Sequence, residues 1–184
     1  MPIVEVRRHA ERGANEDLTA NGLAQAARAR ETLDIPYEAY VTSAAKRARL
    51  TMAAFGIRGA AVDERLGPRP KPPFATFSPR HEELMRSGLD AATAWFAIPE
   101  CLPLLLENGR LAWEAVQDIA ANLHAGGRAL AVSHGGTIEP LAVVATGHGY
   151  EDLFGRRELA YTEGVRTFTR DGRVARLDVI RFPK

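Results

Sequence analysis

Residues 129–132 (Ala-Leu-Ala... in the order Ala129, Leu130, Ala131, Val132) form an unbroken apolar run that stops at Ser133-His134-Gly135-Gly136, after which residues 138–145 carry helical spacing. A strand with one wet face alternates apolar and polar residues, so a run without alternation has to be covered on both faces. That requires helices on two sides of a sheet. The same order of strand, polar residues and helix occurs twice earlier. Residues 3–6 form a β-branched strand followed by Arg7, Arg8 and His9, a turn-rich stretch over 13–17, and a helix over 20–33 with Leu23, Ala26, Ala27, Arg30 and Leu33 on one face. Tyr40 and Val41 then make a short strand ended by Thr42 and Ser43, and residues 44–55 read as a helix with Ser43 as its N-cap.

A third strand over 60–62 leads into residues 67–79, which hold prolines at 68, 70, 72, 73 and 79. Proline lacks the N–H that helix interiors and central strands need, so this stretch reads as a stiff surface loop. Helices follow over 80–87, 89–96 and 111–123, the last with Leu111, Ala115, Val116, Ile119 and Leu123 on one face and Gly126-Gly127 at its end. Two final strands, 165–169 and 174–180, flank Asp171-Gly172, a strong hairpin pairing. The expected fold is α/β: a three-layer α/β/α sandwich with a mixed, mainly parallel sheet, formed as one domain over 1–184. The chain shows no internal repeat.

Composition narrows the function. With 46% hydrophobic and 26% charged residues the chain can build a core, and a formal charge of +1 gives no field that would gather nucleic acid or an anionic membrane. Cys101 is the only cysteine, which excludes an internal disulfide and thiolate metal clusters and points to a reducing cytoplasm. No apolar run reaches the roughly 18 residues that span a bilayer, and the first residues lack the layout of a signal peptide.

In parallel sheets ligands gather beyond the carboxyl ends of the strands. Arg8 and His9 follow the first strand, Arg47 lies just past the second, and His134 follows the fourth. Two guanidiniums and two imidazoles converging on one point make an anion site suited to a phosphoryl group. A neutral histidine held by its remote N–H can attack phosphorus with its near nitrogen, while the other three groups stabilise charge on the equatorial oxygens.

Four stretches, Arg8-His9-Ala10-Glu11, Leu18-Thr19-Ala20-Asn21-Gly22, residues 43–51 (Ser-Ala-Ala-Lys-Arg-Ala-Arg-Leu-Thr) and Val132-Ser133-His134-Gly135-Gly136-Thr137, together resemble the histidine phosphatase superfamily, also called phosphoglycerate-mutase-like, in residue type, spacing and order. The resemblance implies that His9 is the phosphorylated nucleophile, that Arg8 and Arg47 clamp the phosphate and that His134 completes the pocket. It implies hydrolysis of a phosphomonoester or phosphoramidate without cofactor or metal, with a small phosphorylated metabolite or a phosphohistidine protein as partner and inorganic phosphate as product. Asn15, six residues after His9, matches a phosphate-contacting Asn of some members.

Two positions depart from the family pattern. Ala10 replaces the usual Gly after the nucleophile, as in the small phosphohistidine phosphatases, and no Glu follows Leu66, where many members carry the general acid. Glu64, Glu82 and Glu83 are the candidates for that acid, and residues 67–89 the candidate specificity segment. A mutase is disfavoured because the long motif around the acid is missing. Among other classes, Ser133 before His134 resembles the nucleophile elbow of α/β-hydrolases, but no Asp lies between it and the only later histidine, His148. His9 and Glu11 have ligand-like spacing with nothing else clustered near them in sequence, and His81, His124 and His148 read as solvated or capping. A phosphate-binding domain without turnover is the non-enzymatic alternative. Trp95, Phe96 and Trp113 are expected to pack in the core, Cys101 to be buried and inert, and Arg156-Arg157 to be solvated.

Overall fold

The computed structural model describes residues 1–68 and 72–182; Pro70 of the proline-rich stretch lies outside them. A six-stranded sheet has the order β3-β2-β4-β1-β5-β6, with β1 Ile3–Arg8, β2 Ala39–Thr42, β3 Ala61–Val62, β4 Arg128–Ser133, β5 Gly164–Arg170 and β6 Arg173–Ile180. The first four run parallel, and β5 and β6 are antiparallel additions on the β1 edge. Asp171 (φ 50°) and Gly172 (φ 71°) turn the final hairpin, as their residue types predict.

Helices cover both faces, giving the three-layer sandwich. On one, α1 Ala20–Arg30 and α2 Lys46–Ala54 bury Ala26, Ala29, Ala48 and Met52 with Phe55 against Leu130 and Val132. On the other, α5 Leu102–Ala121 and α6 Gly135–Thr146 bury Ala112, Trp113, Val116, Ile138 and Leu141 against Val4, Val6, Ala129 and Ala131. The continuous apolar run of β4 is therefore buried on both sides, the role its lack of alternation demanded. Between α5 and α6 the backbones nearly touch: a Cβ at Gly109 would lie 2.3 Å from the Pro140 carbonyl oxygen. Gly22 permits a similar approach of α1 to the loop after β1, where a Cβ would lie 2.1 Å from the Glu11 carbonyl oxygen.

Several local expectations are corrected. Residues 72–79 are not loop but the first half of α3 Pro72–Arg86. Prolines in a first turn lose no helical bond, because those N–H groups have no intrahelical partner, and Pro79 sacrifices a single i→i−4 bond within a longer helix. Ser43 is not the N-cap of α2; Ala45 takes that position without a side-chain bond. α1 starts one residue after its Thr19 cap and ends at Arg30, and Leu23 is exposed, the buried stripe running through Gly22, Ala26 and Ala29. α5 begins at Leu102, well before Leu111, and ends at Ala121 ahead of the two glycines. α4 Ala91–Phe96 is capped by Asp90, which accepts from Thr93 N–H at 2.8 Å, and α7 Tyr150–Phe154 follows α6. Arg157 is not merely solvated: it pairs with buried Glu163 at 2.6 Å. Cys101 is fully buried at the start of α5, and burial raises its thiol pKa. Trp113 is in the core, Phe96 packs against it by stacking on buried Tyr150 with ring centroids 4.5 Å apart, and Trp95 packs against the smaller cluster of Ile98, Cys101 and Leu105. No helix among the described residues is long and apolar enough to cross a membrane.

Candidate active site

Register brings the strand ends together. Arg8 is aligned with Ser133 across β1 and β4, and Thr42 with Val132 across β2 and β4. One step further along, His9 N–H donates to Ser133 O at 2.9 Å and Ser43 N–H to Val132 O at 3.1 Å. Three residues leaving three neighbouring strands, His9, Ser43 and His134, therefore stand side by side. The loop after His9 is tied to α2 through Thr51, whose hydroxyl accepts from Ala10 N–H at 2.9 Å and donates to Arg47 O at 2.8 Å.

His9 is nine-tenths buried, and its Nδ1 lies 2.8 Å from the Ala10 carbonyl oxygen. A carbonyl only accepts, so Nδ1 carries the proton and Nε2 the lone pair. Arg47 Nε donates to that Nε2 at 3.1 Å. Burial pushes the His9 pKa down to about 4, and the charges of Arg47, Arg8 and Arg12 add to this against the Ala10 bond. The ring of His134 lies 5.0 Å away by centroids, and its Nε2 is 2.8 Å from Ser43 Oγ. Its Nδ1 is buried and has no hydrogen-bond partner among the described residues. Burial, reinforced by Arg47, His9 and Arg8, pushes the His134 pKa down to about 2. Both imidazoles are neutral at pH 7. His134 also precedes the first turn of α6, whose Gly135 and Gly136 N–H groups begin a helix N-terminus beside the two rings.

Arg47 sits in the first turn of α2, and its Nη1 is held by the Glu16 carboxylate, which also pairs with Arg12 at 2.9 Å. Glu16 has a φ of 66°, so the loop adopts a left-handed turn to present it. The bond from Arg47 holds its carboxyl below the ordinary range. Arg8 donates to Leu159 O, and its guanidinium carbon lies 4.6 Å from the centroid of the Tyr161 ring, which is itself 5.7 Å from the His9 ring. Arg8, His9, Arg47 and His134 are thus brought into one cluster, whereas Arg7 points to the other side of the sheet edge, paired with buried Glu5 at 2.6 Å.

Other candidates lie elsewhere. The Asn15 side chain is exposed and donates to Asp17 at 2.7 Å. Glu64, Glu82 and Glu83 are exposed, and among the described residues none bonds to the cluster. Ser133 is fully buried and donates to Leu66 O at 2.6 Å, while His134 faces Ser43, so no serine nucleophile is formed. His81 is buried against Trp95, with centroids 4.0 Å apart, not solvated. No three His, Cys, Asp or Glu side chains among the described residues gather in a way that would hold a metal ion. Ser43 and Glu16 were missed as site residues. The Arg12–Glu16 i, i+4 spacing was the available hint for Glu16; Ser43 looked like a cap, and nothing local marked Tyr161.

No family model matches the sequence, and no curated protein matches it. Solved structures do match along nearly the whole chain. A phosphoserine phosphatase from Entamoeba histolytica in complex with 3-phosphoglyceric acid aligns with a TM-score of 0.71 at 16% identity, covering 99% of this chain and 98% of its own. A mycobacterial glucosyl-3-phosphoglycerate phosphatase in complex with VO3 gives 0.66 at 18%, covering 97% and 98%. A phosphoglycerate mutase from Bacillus anthracis gives 0.65 at 15%, covering 96% and 90%. The chain has the phosphoglycerate-mutase-like fold of these structures.

Proposed function

We propose that this chain, built on the phosphoglycerate-mutase-like fold, is a metal-independent phosphatase that hydrolyses a phosphomonoester or phosphoramidate through a phosphohistidine on His9. The observation that carries this reading is the tautomer: Nδ1–H donates to the Ala10 carbonyl, leaving the Nε2 lone pair between Arg47 and His134. An incoming phosphoryl group takes the place of the Glu16 carboxylate on Arg47 and draws Arg47 Nε off the lone pair. Nε2 then bonds to phosphorus as the bond to the leaving oxygen or nitrogen breaks, and the electron pair departs with the leaving group. Arg8, Arg47 and the free nitrogen of His134 surround the equatorial oxygens, where charge develops. Water next attacks phosphorus, the Nε2–P bond breaks, and inorganic phosphate leaves.

The fold neighbours support phosphatase activity in general; two of them are phosphatases solved with 3-phosphoglyceric acid and with VO3. Because Glu64, Glu82 and Glu83 are exposed and unattached to the cluster, leaving groups that depart without a proton are expected to react fastest. The same fact favours one second reading, a phosphate-binding domain without turnover. The test is hydrolysis of para-nitrophenyl phosphate in the presence of a chelator by wild type and His9→Ala. Turnover that survives the chelator and is lost in His9→Ala is expected. Absence of turnover together with phosphate-dependent thermal protection would favour the binding domain, and undiminished turnover in His9→Ala would overturn the nucleophile.

A further inference from the structure

A cavity of about 210 Å3 opens beside Arg8, walled by Arg8, Glu139 and Glu158, by Trp95 and Phe96 of α4, and by Leu105 of α5. Gly135 and Gly136 of the α6 N-terminus also border it, so it adjoins the phosphate clamp directly. Its size is that of a group of about seven heavy atoms, taking the volume share of a water molecule as the unit. Its charge is unusual. Glu139 is 2% exposed and accepts from Leu159 N–H at 2.7 Å, and among the described residues it has no ion pair. Glu158 lies 4.0 Å from Arg8, a loose contact, while Arg8 donates to Leu159 O and stacks against Tyr161. Two carboxyl groups thus face a small space lined with aromatic rings beside Arg8, and among the described residues the buried one forms no ion pair.

We propose that this cavity is the leaving-group subsite and that it takes a short group ending in a protonated amine, so that the preferred substrates are aminoalkyl phosphates. The inference rests on the phosphatase reading for its phosphate anchor. An ammonium placed there gains two carboxylates and two aromatic walls, the combination that recognises cations in desolvated sites. A carboxylate-bearing leaving group meets the same two acids and is repelled. Burial pushes the Glu139 carboxyl up to about 7, opposed by the Leu159 bond and by Arg8 and assisted by Glu158 and Asp90. An entering ammonium favours the ionised form, so its binding strengthens as pH rises through that range.

Hydrolysis-inert phosphonates test this without turnover. For wild type, affinity measured by calorimetry at pH 7.5 is expected to fall in the order 3-aminopropylphosphonate, propylphosphonate, 3-phosphonopropionate, spanning at least about tenfold. In Glu139→Gln/Glu158→Gln the three are expected to converge to within about twofold, with Glu158→Gln alone giving a partial effect because its side chain, 39% exposed, is more screened than that of Glu139. Equal affinities in wild type, an order that survives in the double variant, or no binding of any of the three would overturn the proposal. Para-nitrophenyl phosphate hydrolysis, run alongside, separates this outcome from failure of the phosphatase reading: turnover with a flat phosphonate order removes only the subsite.

Discussion

Replacing Glu139 by Gln should change how stability depends on pH, with a sign that the structure fixes. The carboxyl is 2% exposed, and burial moves it from 4.5 in the unfolded chain to about 7 in the folded one. Between those values the folded chain keeps a proton that the unfolded chain has lost. Stability contributed by the neutral carboxyl is thus fully present below about pH 4.5 and is lost progressively until pH passes about 7. Each pH unit inside the window is worth about 1.4 kcal/mol, so the whole window of about 2.5 units amounts to about 3 kcal/mol. His9 and His134 act in the opposite direction: their folded values lie below the ordinary 6.5, so their contribution is present above it and is lost as pH falls. The difference between the two proteins cancels the histidines. The Gln amide oxygen can still accept from Leu159 N–H and has no charge to expel. Urea unfolding at half-unit steps from pH 4 to 8.5 should show Glu139→Gln gaining on wild type only between about pH 4.5 and 7, reaching about 3 kcal/mol and then holding level. Parallel curves across the range would refute the buried, neutral carboxyl and the desolvation that produces it.

Three shorter predictions follow from other contacts. Glu16→Gln removes the carboxylate that occupies Arg47, so the KM for para-nitrophenyl phosphate and the inhibition constant of vanadate should both fall, by roughly threefold to tenfold; a rise in KM would mean that Glu16 positions Arg47 instead of competing with phosphate. In a pH profile of kcat/KM, corrected for the phosphate monoester's own ionisation near about pH 6, the acidic limb assigned to His9 should lie near 4 and not near 6.5, because burial and three arginines disfavour imidazolium. Gly109→Ala should lower the thermal midpoint: the roughly 1 kcal/mol that Ala gains in a helix is outweighed by a Cβ forced to 2.3 Å from the backbone oxygen of Pro140. A midpoint raised or unchanged would show that α5 and α6 can separate at no cost.

Much of the fold was legible because its signals were periodic. The unbroken β4 run announced a sheet covered on both faces, and Asp171-Gly172 announced the antiparallel hairpin. Arg8, His9, Arg47 and His134 could be nominated because each stands at or just beyond a strand end, and register then carries them to one edge. Proline misled over residues 72–79, since its helix-breaking effect depends on position and vanishes in a first turn. What remained hidden is tertiary. Ser43 has the residue type of a helix cap, and only the neighbouring strand reveals its bond to His134. The burial of Glu139 beside Arg8 depends on α4, which arrives from almost fifty residues earlier in the chain. Glu16 reaches Arg47 through a left-handed turn that no sequence period records.

The central claim is that Nε2 of His9 attacks phosphorus, and trapping the phosphoenzyme tests it most directly. Wild type mixed with an excess of para-nitrophenyl phosphate and quenched in alkali within milliseconds should carry one phosphate that survives alkali and is released by acid. Peptide mapping should place it on His9, and phosphorus NMR of the denatured chain should assign it to Nε2, because Nδ1 is committed to the Ala10 carbonyl. Phosphate found on Nδ1, on His134 or on a serine, or steady turnover with no trapped phosphoenzyme in wild type, would contradict the account.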